Sequence, residues 1–316
     1  MPLKQVTIKS PATSANLGPG FDVFGLALEQ PRDKVTIQAI LDGVKIQVTG
    51  LSAQTISTIP EKNTAGIVAN QIIKEFSIKT GLNLKIEKGI KPGAGLGSSA
   101  ASAAAVAYGL NCLFNLGLSN TELIRFAAKG ELASAGFEHA DNVSAAIYGN
   151  FVIIKSYNPL SVVNLECPKN MEICVALPHM IIPADKTRKA RLIVPKMVPI
   201  DKHIYNVGRA AAMASGFANG DVDLIGESMS DAVVEPTRAA FIPGYHQVKE
   251  NAYKAGACGV AISGAGPAMI AIVNKKTVNS AKVAHAMQEG FKSAGIDSTA
   301  FVTKPGKGAC LLEMEQ

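Results

Sequence analysis

The 316-residue sequence predicts an α+β protein made of two layered units. Three observations carry this expectation. Short segments of alternating apolar and polar residues recur early, around Val6, Val35 and Val44. Helical patterns and strands then follow one another with hairpin-like spacing, not the steady strand–helix alternation of a doubly wound sheet. A turn-forming stretch at 156–161 (Ser-Tyr-Asn-Pro-Leu-Ser) separates halves of different character and divides the chain into 1–158 and 159–316.

The elements follow in order. Val6 and Ile8 alternate with polar residues, as do Val35-Thr36-Ile37 and Val44-Lys45-Ile46-Gln47-Val48, which is the pattern of half-buried strands. Asn63 is placed to N-cap a helix over 64–79, with Ile67, Val68, Ile72 and Phe76 on one side and Gly81 ending it. Leu82, Leu84 and Ile86 alternate as a strand, and the Ala-rich run after residue 97 predicts a helix to 115. Ser119 and Glu122 form a capping box that opens a helix to Ala135. Phe151-Val152-Ile153-Ile154 reads as a buried strand. In the second half, strands are expected at 172–177, 260–262, 269–273, 299–302 and 309–312. Helices are expected at 201–218, 222–231, over about ten residues after Gly244-Tyr245, and at 277–294.

Composition excludes several classes. Hydrophobic residues make up 47% and charged residues 18%, so the chain can bury a core and is not disordered. The net charge of +6 suits an anionic ligand. Aromatics are only 5%, Trp is absent and the lysines are scattered, which argues against nucleic acid. No apolar run reaches the roughly 18–20 residues that span a bilayer, and the N-terminus has no apolar signal core, so no membrane partner and a cytoplasmic location are expected. The five cysteines are far apart and form no C-x-x-C pair, which reads as buried reduced thiols.

The most informative segment is Lys91-Pro92-Gly93-Ala94-Gly95-Leu96-Gly97-Ser98-Ser99-Ala100-Ala101. Glycines allow a backbone to approach a guest closely, and a loop that feeds a helix N-terminus aims free N–H groups and the helix dipole at an anion. The segment lacks the Lys of a P-loop and the final Gly of a dinucleotide fingerprint. A serine hydroxyl at the head of such a helix can ligate Mg²⁺. Two other Gly-bearing segments stand far away: Pro11-Ala12-Thr13-Ser14-Ala15-Asn16-Leu17-Gly18-Pro19-Gly20-Phe21-Asp22 and Ser263-Gly264-Ala265-Gly266-Pro267.

Together the three segments resemble the signature motifs of the GHMP small-molecule kinases, and the first is similar to that of the homoserine kinases among them. The resemblance runs from about Val6 to the C-terminal strands. It implies the two-domain GHMP kinase fold, with a ribosomal-S5-domain-2-like N-terminal domain and a ferredoxin-like C-terminal domain. It implies ATP and Mg²⁺ as cofactors, L-homoserine as acceptor, O-phospho-L-homoserine as product on the route to threonine, and a homodimer. Residues 91–101 would wrap the triphosphate, Asn63 would lie near the adenine, and Ser99 with Glu131 would hold Mg²⁺. Asp22 and the amide oxygen of Asn16 would take the substrate ammonium. Arg191, in the segment that begins at Thr187, and Arg238 would take its carboxylate, since the guanidinium fork matches a carboxylate. His139, Asn142 and Thr187 would help to place the substrate.

Asn142 falls where several of these kinases carry a catalytic Asp. An amide is not basic at neutral pH, and the adjacent Asp141 is offset by one residue. The expected mechanism therefore has no protein base: positioning and charge stabilisation by Ser99, Glu131, Asn142 and Arg191 carry it, and the proton passes to the transferred phosphoryl. A kinase for another small alcohol such as mevalonate, and a non-catalytic regulator of the same fold, are the competing readings.

Overall fold

A computed structural model describes residues 4–135, 139–183 and 186–315. In chain order the elements are β1 (Gln5–Asn16), β2 (Gly20–Ile40), β3 (Val44–Gly50), α1 (Thr64–Glu75), β4 (Gly81–Lys88), α2 (Ser98–Phe114), α3 (Asn120–Ala135), α4 (Asp141–Tyr148), β5 (Phe151–Tyr157), β6 (Leu160–Leu165) and β7 (Met171–Pro178). Then come α5 (Lys186–Leu192), α6 (Ile200–Asn219), α7 (Val222–Glu227), α8 (Glu235–Ala239), α9 (Tyr245–Lys254), β8 (Gly259–Ile262), β9 (Met269–Asn274), α10 (Ser280–Ser293), β10 (Ser298–Thr303) and β11 (Cys310–Glu315).

The expected α+β class holds. The first sheet runs β11-β1-β2-β4-β3, with the β5–β6 hairpin attached to β2, and is antiparallel except for the β3–β4 pair. Helices α1 to α4 cover one face of it. Val6, Ile8, Val35, Ile37, Leu82 and Leu84 of the sheet pack there against Val68 and Ile72 of α1, the alanines of α2 and Val143 of α4. The second sheet runs β10-β7-β9-β8 and is antiparallel throughout. Its outer face carries α9 and α10 through Val248, Met287 and Phe291. A third cluster joins the units: Leu17, Phe24 and Leu26 meet Ile173, Phe217, Ile225 and Ile270.

Several local expectations are corrected. The helix from Asn63 ends at Glu75, because Ser77 is left-handed (φ 51°), and Gly81 opens β4 instead of closing the helix. The strand around Val35 is part of a 21-residue β2 that starts at Gly20, so residues 11–22 form two strand ends and a tight turn. The division expected between 158 and 159 falls inside the β5–β6 hairpin. By strand pairing the crossover to the second sheet lies at 166–170, and β11 returns to pair with β1. The basic arm at 184–191 contains a helix, α5, over its described part.

Candidate active site

The three Gly-bearing segments, separated by up to 250 residues, are hydrogen-bonded to one another. Thr13 N–H donates to the Leu96 carbonyl (3.1 Å), Ala268 N–H to the Ala94 carbonyl (3.0 Å) and Gly264 N–H to the Ala15 carbonyl (3.1 Å). The Ser263 hydroxyl donates to the Gly95 carbonyl (2.7 Å) and lies 2.9 Å from the Ser14 hydroxyl. Two glycines make this approach possible. A Cβ on Gly97 (φ 64°) would lie 1.9 Å from the Thr13 hydroxyl, and one on Gly95 (φ 89°) would lie 2.4 Å from the Ser263 carbonyl.

Gly97 caps α2 with no side chain, so the first N–H groups of that helix are left to a guest. They open onto a cavity of about 610 Å³ lined by Lys91, Pro92, Gly93, Gly95, Gly97, Ser98 and Ser99 from the loop. Ala94, Leu96, Ala100 and Ala101 have their side chains in the core, so only their backbones remain for a phosphate. The Ser99 hydroxyl donates to a Glu131 carboxylate oxygen at 3.0 Å, and both residues line the cavity. Two hard oxygens at the head of a helix match Mg²⁺, which takes few protein ligands and completes its shell with phosphate and water. Asn63 lines the same cavity. Its amide oxygen caps α1 at Ala65 (2.9 Å) and its NH₂ donates to the Ser57 carbonyl (2.7 Å), so the amide is committed to shaping that wall.

The acceptor side lies where α5, α8 and the first motif meet. Asp22, itself left-handed (φ 59°), is paired with the Arg191 guanidinium, and its other oxygen lies 3.6 Å from His139 Nδ1. Arg191 and Arg238 stand over the same Phe21 ring, 5.0 and 5.1 Å from its centroid. Arg238 is buried and donates to the carbonyls of Ala190 and Gly264. Burial pushes its guanidinium below its usual range, and Asp22 counters that. The Asn16 amide oxygen, expected to meet an ammonium, accepts the Asp22 N–H at 3.2 Å, while its NH₂ donates to the Gly264 carbonyl (2.9 Å). Asn16 thus fixes the backbone that presents Asp22. Thr187 and Asn142 line the cavity between the two halves. The Thr13 hydroxyl donates to Asn142 Oδ1 (2.7 Å). Asp141 is buried, and its carboxylate accepts the Asn142 N–H (2.6 Å) at the start of α4. Burial raises its pKa, against the lowering effect of His139.

Residues 63–150 match the N-terminal GHMP kinase domain and residues 213–293 the GHMP kinase C-terminal domain. The homoserine kinase of Methanococcus vannielii is 49% identical over 87% of this chain and 90% of its own length, and that of Halorubrum lacusprofundi is 43% identical over 98% and 99%. The chain belongs to the homoserine kinases of the GHMP kinase family. A crystal structure of homoserine kinase from Cytophaga hutchinsonii superposes with a TM-score of 0.91 at 35% identity, covering 98% of each chain. Mevalonate diphosphate decarboxylase from Staphylococcus aureus shares the fold, with a TM-score of 0.70 at 14% identity.

In this GHMP kinase the structure adds charged groups that sequence patterns did not signal. Lys88 and Asp33 form a buried ion pair behind the phosphate loop. Lys88 also donates to the Ser98 carbonyl (2.8 Å) and the Ser102 hydroxyl (3.0 Å), while Asp33 accepts the N–H groups of Gly89 and Ile90 (both 3.0 Å). Burial dominates both groups, raising the Asp33 pKa and lowering that of Lys88. Glu235 anchors α8: one oxygen accepts the Ile262 N–H (3.1 Å) and the other accepts from Tyr245 and from Lys249 (2.7 Å). Asp231 caps the same helix by accepting the N–H groups of Val233, Val234 and Glu235. A charge on a lone strand or a short turn carries no periodic signal, so each of these needed the fold to become visible.

Proposed function

We propose that this chain transfers the γ-phosphoryl group of ATP to the side-chain hydroxyl of L-homoserine, giving O-phospho-L-homoserine and ADP, a step in threonine biosynthesis. The observation that supports this is that two unlike clusters share the first motif, which bonds the Gly-rich loop through Thr13 and carries Asp22. A helix N-terminus with the Ser99–Glu131 pair suits a metal-bound polyphosphate, and Asp22 with Arg191 and Arg238 suits a zwitterion. Full-length relatives named homoserine kinase support the choice of acceptor.

The residues divide the work as follows. The N–H groups at the start of α2 would take phosphate oxygens. Ser99 and Glu131 would hold Mg²⁺, which when bound offsets charge on the β- and γ-phosphates. The Asp22–Arg191 pair already has the charge pattern of an amino acid's two ends. An incoming α-ammonium would replace the guanidinium at Asp22, and the α-carboxylate would replace Asp22 at Arg191, with Arg238 as second fork. Exchange of one ion pair for two of the same kind avoids stranding a charge. His139 and Thr187 would flank the acceptor, and Asn142, held by Thr13, would orient its hydroxyl. No residue at that position can take the proton, so it would pass to the transferred phosphoryl.

A homodimer is part of this proposal, supported by Ile200, Ile204 and Val207, which are 71%, 65% and 52% exposed along one face of α6. A cytoplasmic location accords with the free thiols at Cys112, Cys167, Cys174, Cys258 and Cys310. Phosphorus NMR of the reaction mixture tests the central step: a phosphomonoester on homoserine, formed as ADP appears, supports it. ADP with inorganic phosphate alone would refute it.

A further inference from the structure

Lys186 opens α5, the helix that also carries Thr187 and Arg191. Its ammonium donates to the Gly93 carbonyl on the phosphate loop (2.8 Å) and to the Gly266 carbonyl on the third motif. These two carbonyls belong to loops that pack directly on one another, since the Ala268 N–H donates to the Ala94 carbonyl (3.0 Å). An ammonium has three N–H donors. Two hold it between the carbonyls, and the side chain lines the cavity with Ser98, Ser99, Glu131 and Asn142. Among the described residues its hydrogen-bond partners are neutral carbonyls, with no carboxylate.

A cation so placed is poorly compensated in the free protein. Burial lowers its pKa to about 7, and the like charge of Arg238 on α8 adds to this. The charged groups facing the same cavity do not cancel it. Lys62, Lys88 and Lys91 are further cations, Lys88 is committed to Asp33, and the charge that acts on Lys186 besides burial is that of Arg238. An arriving polyphosphate would supply the missing counter-charge.

We propose that Lys186 is a direct ligand of the nucleotide's terminal phosphates. Through α5 it ties nucleotide binding to the placement of Arg191 on the acceptor side. The proposal rests on the kinase reading above and adds to it a residue from the acceptor arm. It also has a sign. Near neutral pH part of the free protein carries a neutral amine, and bound phosphate favours the ammonium. Nucleotide binding therefore takes up protons, and affinity falls as pH rises from about 7 to 9.

The test is calorimetric binding of AMPPNP, ADP and AMP with Mg²⁺, without homoserine, to wild type, Lys186→Met and Lys186→Arg. Each is run in two buffers of different ionisation enthalpy. Wild type should show buffer-dependent heat from proton uptake at pH 7.5. Lys186→Met should lose AMPPNP affinity by about 10–100-fold, the size of a hydrogen bond to a charged group, while its AMP affinity stays within about twofold. It should also lose the proton uptake that distinguishes it from wild type. Lys186→Arg, always charged, should keep most of the affinity and show no such uptake; it decides the matter if the Met variant fails to fold. Equal losses for AMP and AMPPNP, or unchanged affinity and proton uptake in both variants, would overturn the proposal. Failure of wild type to bind any of the three would overturn the kinase reading and this assignment with it. A wild type that binds as described but does not phosphorylate homoserine would leave Lys186 assigned and refute only the acceptor.

Discussion

The Ser99 hydroxyl donates to the Glu131 carboxylate at 3.0 Å, joining the first turn of α2 to α3 at the mouth of the nucleotide cavity. In the proposed reaction these two oxygens would hold the divalent cation.

Ser99→Ala should therefore cut turnover by about 100-fold or more and raise the Mg²⁺ concentration needed for half-maximal rate, with little change in melting temperature. Steady-state kinetics over a magnesium titration, with a thermal melt, checks this. Wild-type turnover in the variant would remove Ser99 from the metal site.

Asp141→Asn separates a base from a structural carboxylate. Asp141 is buried at the first position of α4, where its carboxylate accepts the Asn142 N–H. The variant should lose less than about tenfold in kcat, whereas loss of a true general base costs about 10²–10⁴-fold. Its stability has a signed pH dependence. Burial raises the folded-state pKa above the usual 3.8, so the folded protein binds this proton more tightly than the unfolded chain. Ionisation then draws on stability as pH rises. The stability of the Asn variant relative to wild type should increase as pH rises above the ordinary carboxylate range. A difference that is flat with pH would contradict the assignment.

The Lys88–Asp33 pair should show strong coupling in a double-mutant cycle. Lys88→Met alone strands a carboxylate behind the phosphate loop and should cost about 3–5 kcal/mol in urea denaturation. Adding Asp33→Asn should recover much of it. A single-variant cost below about 1 kcal/mol would show that the pair is not a closed buried unit.

On the acceptor side, Arg238→Ala should raise the KM for homoserine by about 100-fold and leave that for ATP within about threefold. Glu235→Gln, which weakens the tie to Lys249, should move the homoserine KM in the same direction by less. Equal effects on both substrates would place these residues in general stability instead.

Much of this was legible in the residues because the relevant signals are local. Asn63 caps α1, and Ser119 with Glu122 forms the expected capping box, with Glu122 accepting the Ser119 N–H at 2.8 Å. The Gly-rich segment leads into α2 as expected. What was hidden depends on distance in sequence. Asp33 and Lys88 are 55 residues apart on separate strands, where each looks like a solvated charge. Lys186 sits in a basic run, and the fold sets it apart, half-buried against two carbonyls, from the exposed Arg188 and Lys189. The extended β2 escaped notice because its first half is broken by glycines and its middle by Pro31, so alternation was visible only from Val35 onward.

The proposed reaction joins a nucleotide cradle to an amino-acid acceptor site. Steady-state ADP release from purified protein with Mg·ATP, in parallel with L-homoserine, mevalonate and galactose, tests it most directly. Turnover with homoserine and only background ADP with the other two are expected. Turnover with mevalonate or galactose, and none with homoserine, would contradict it.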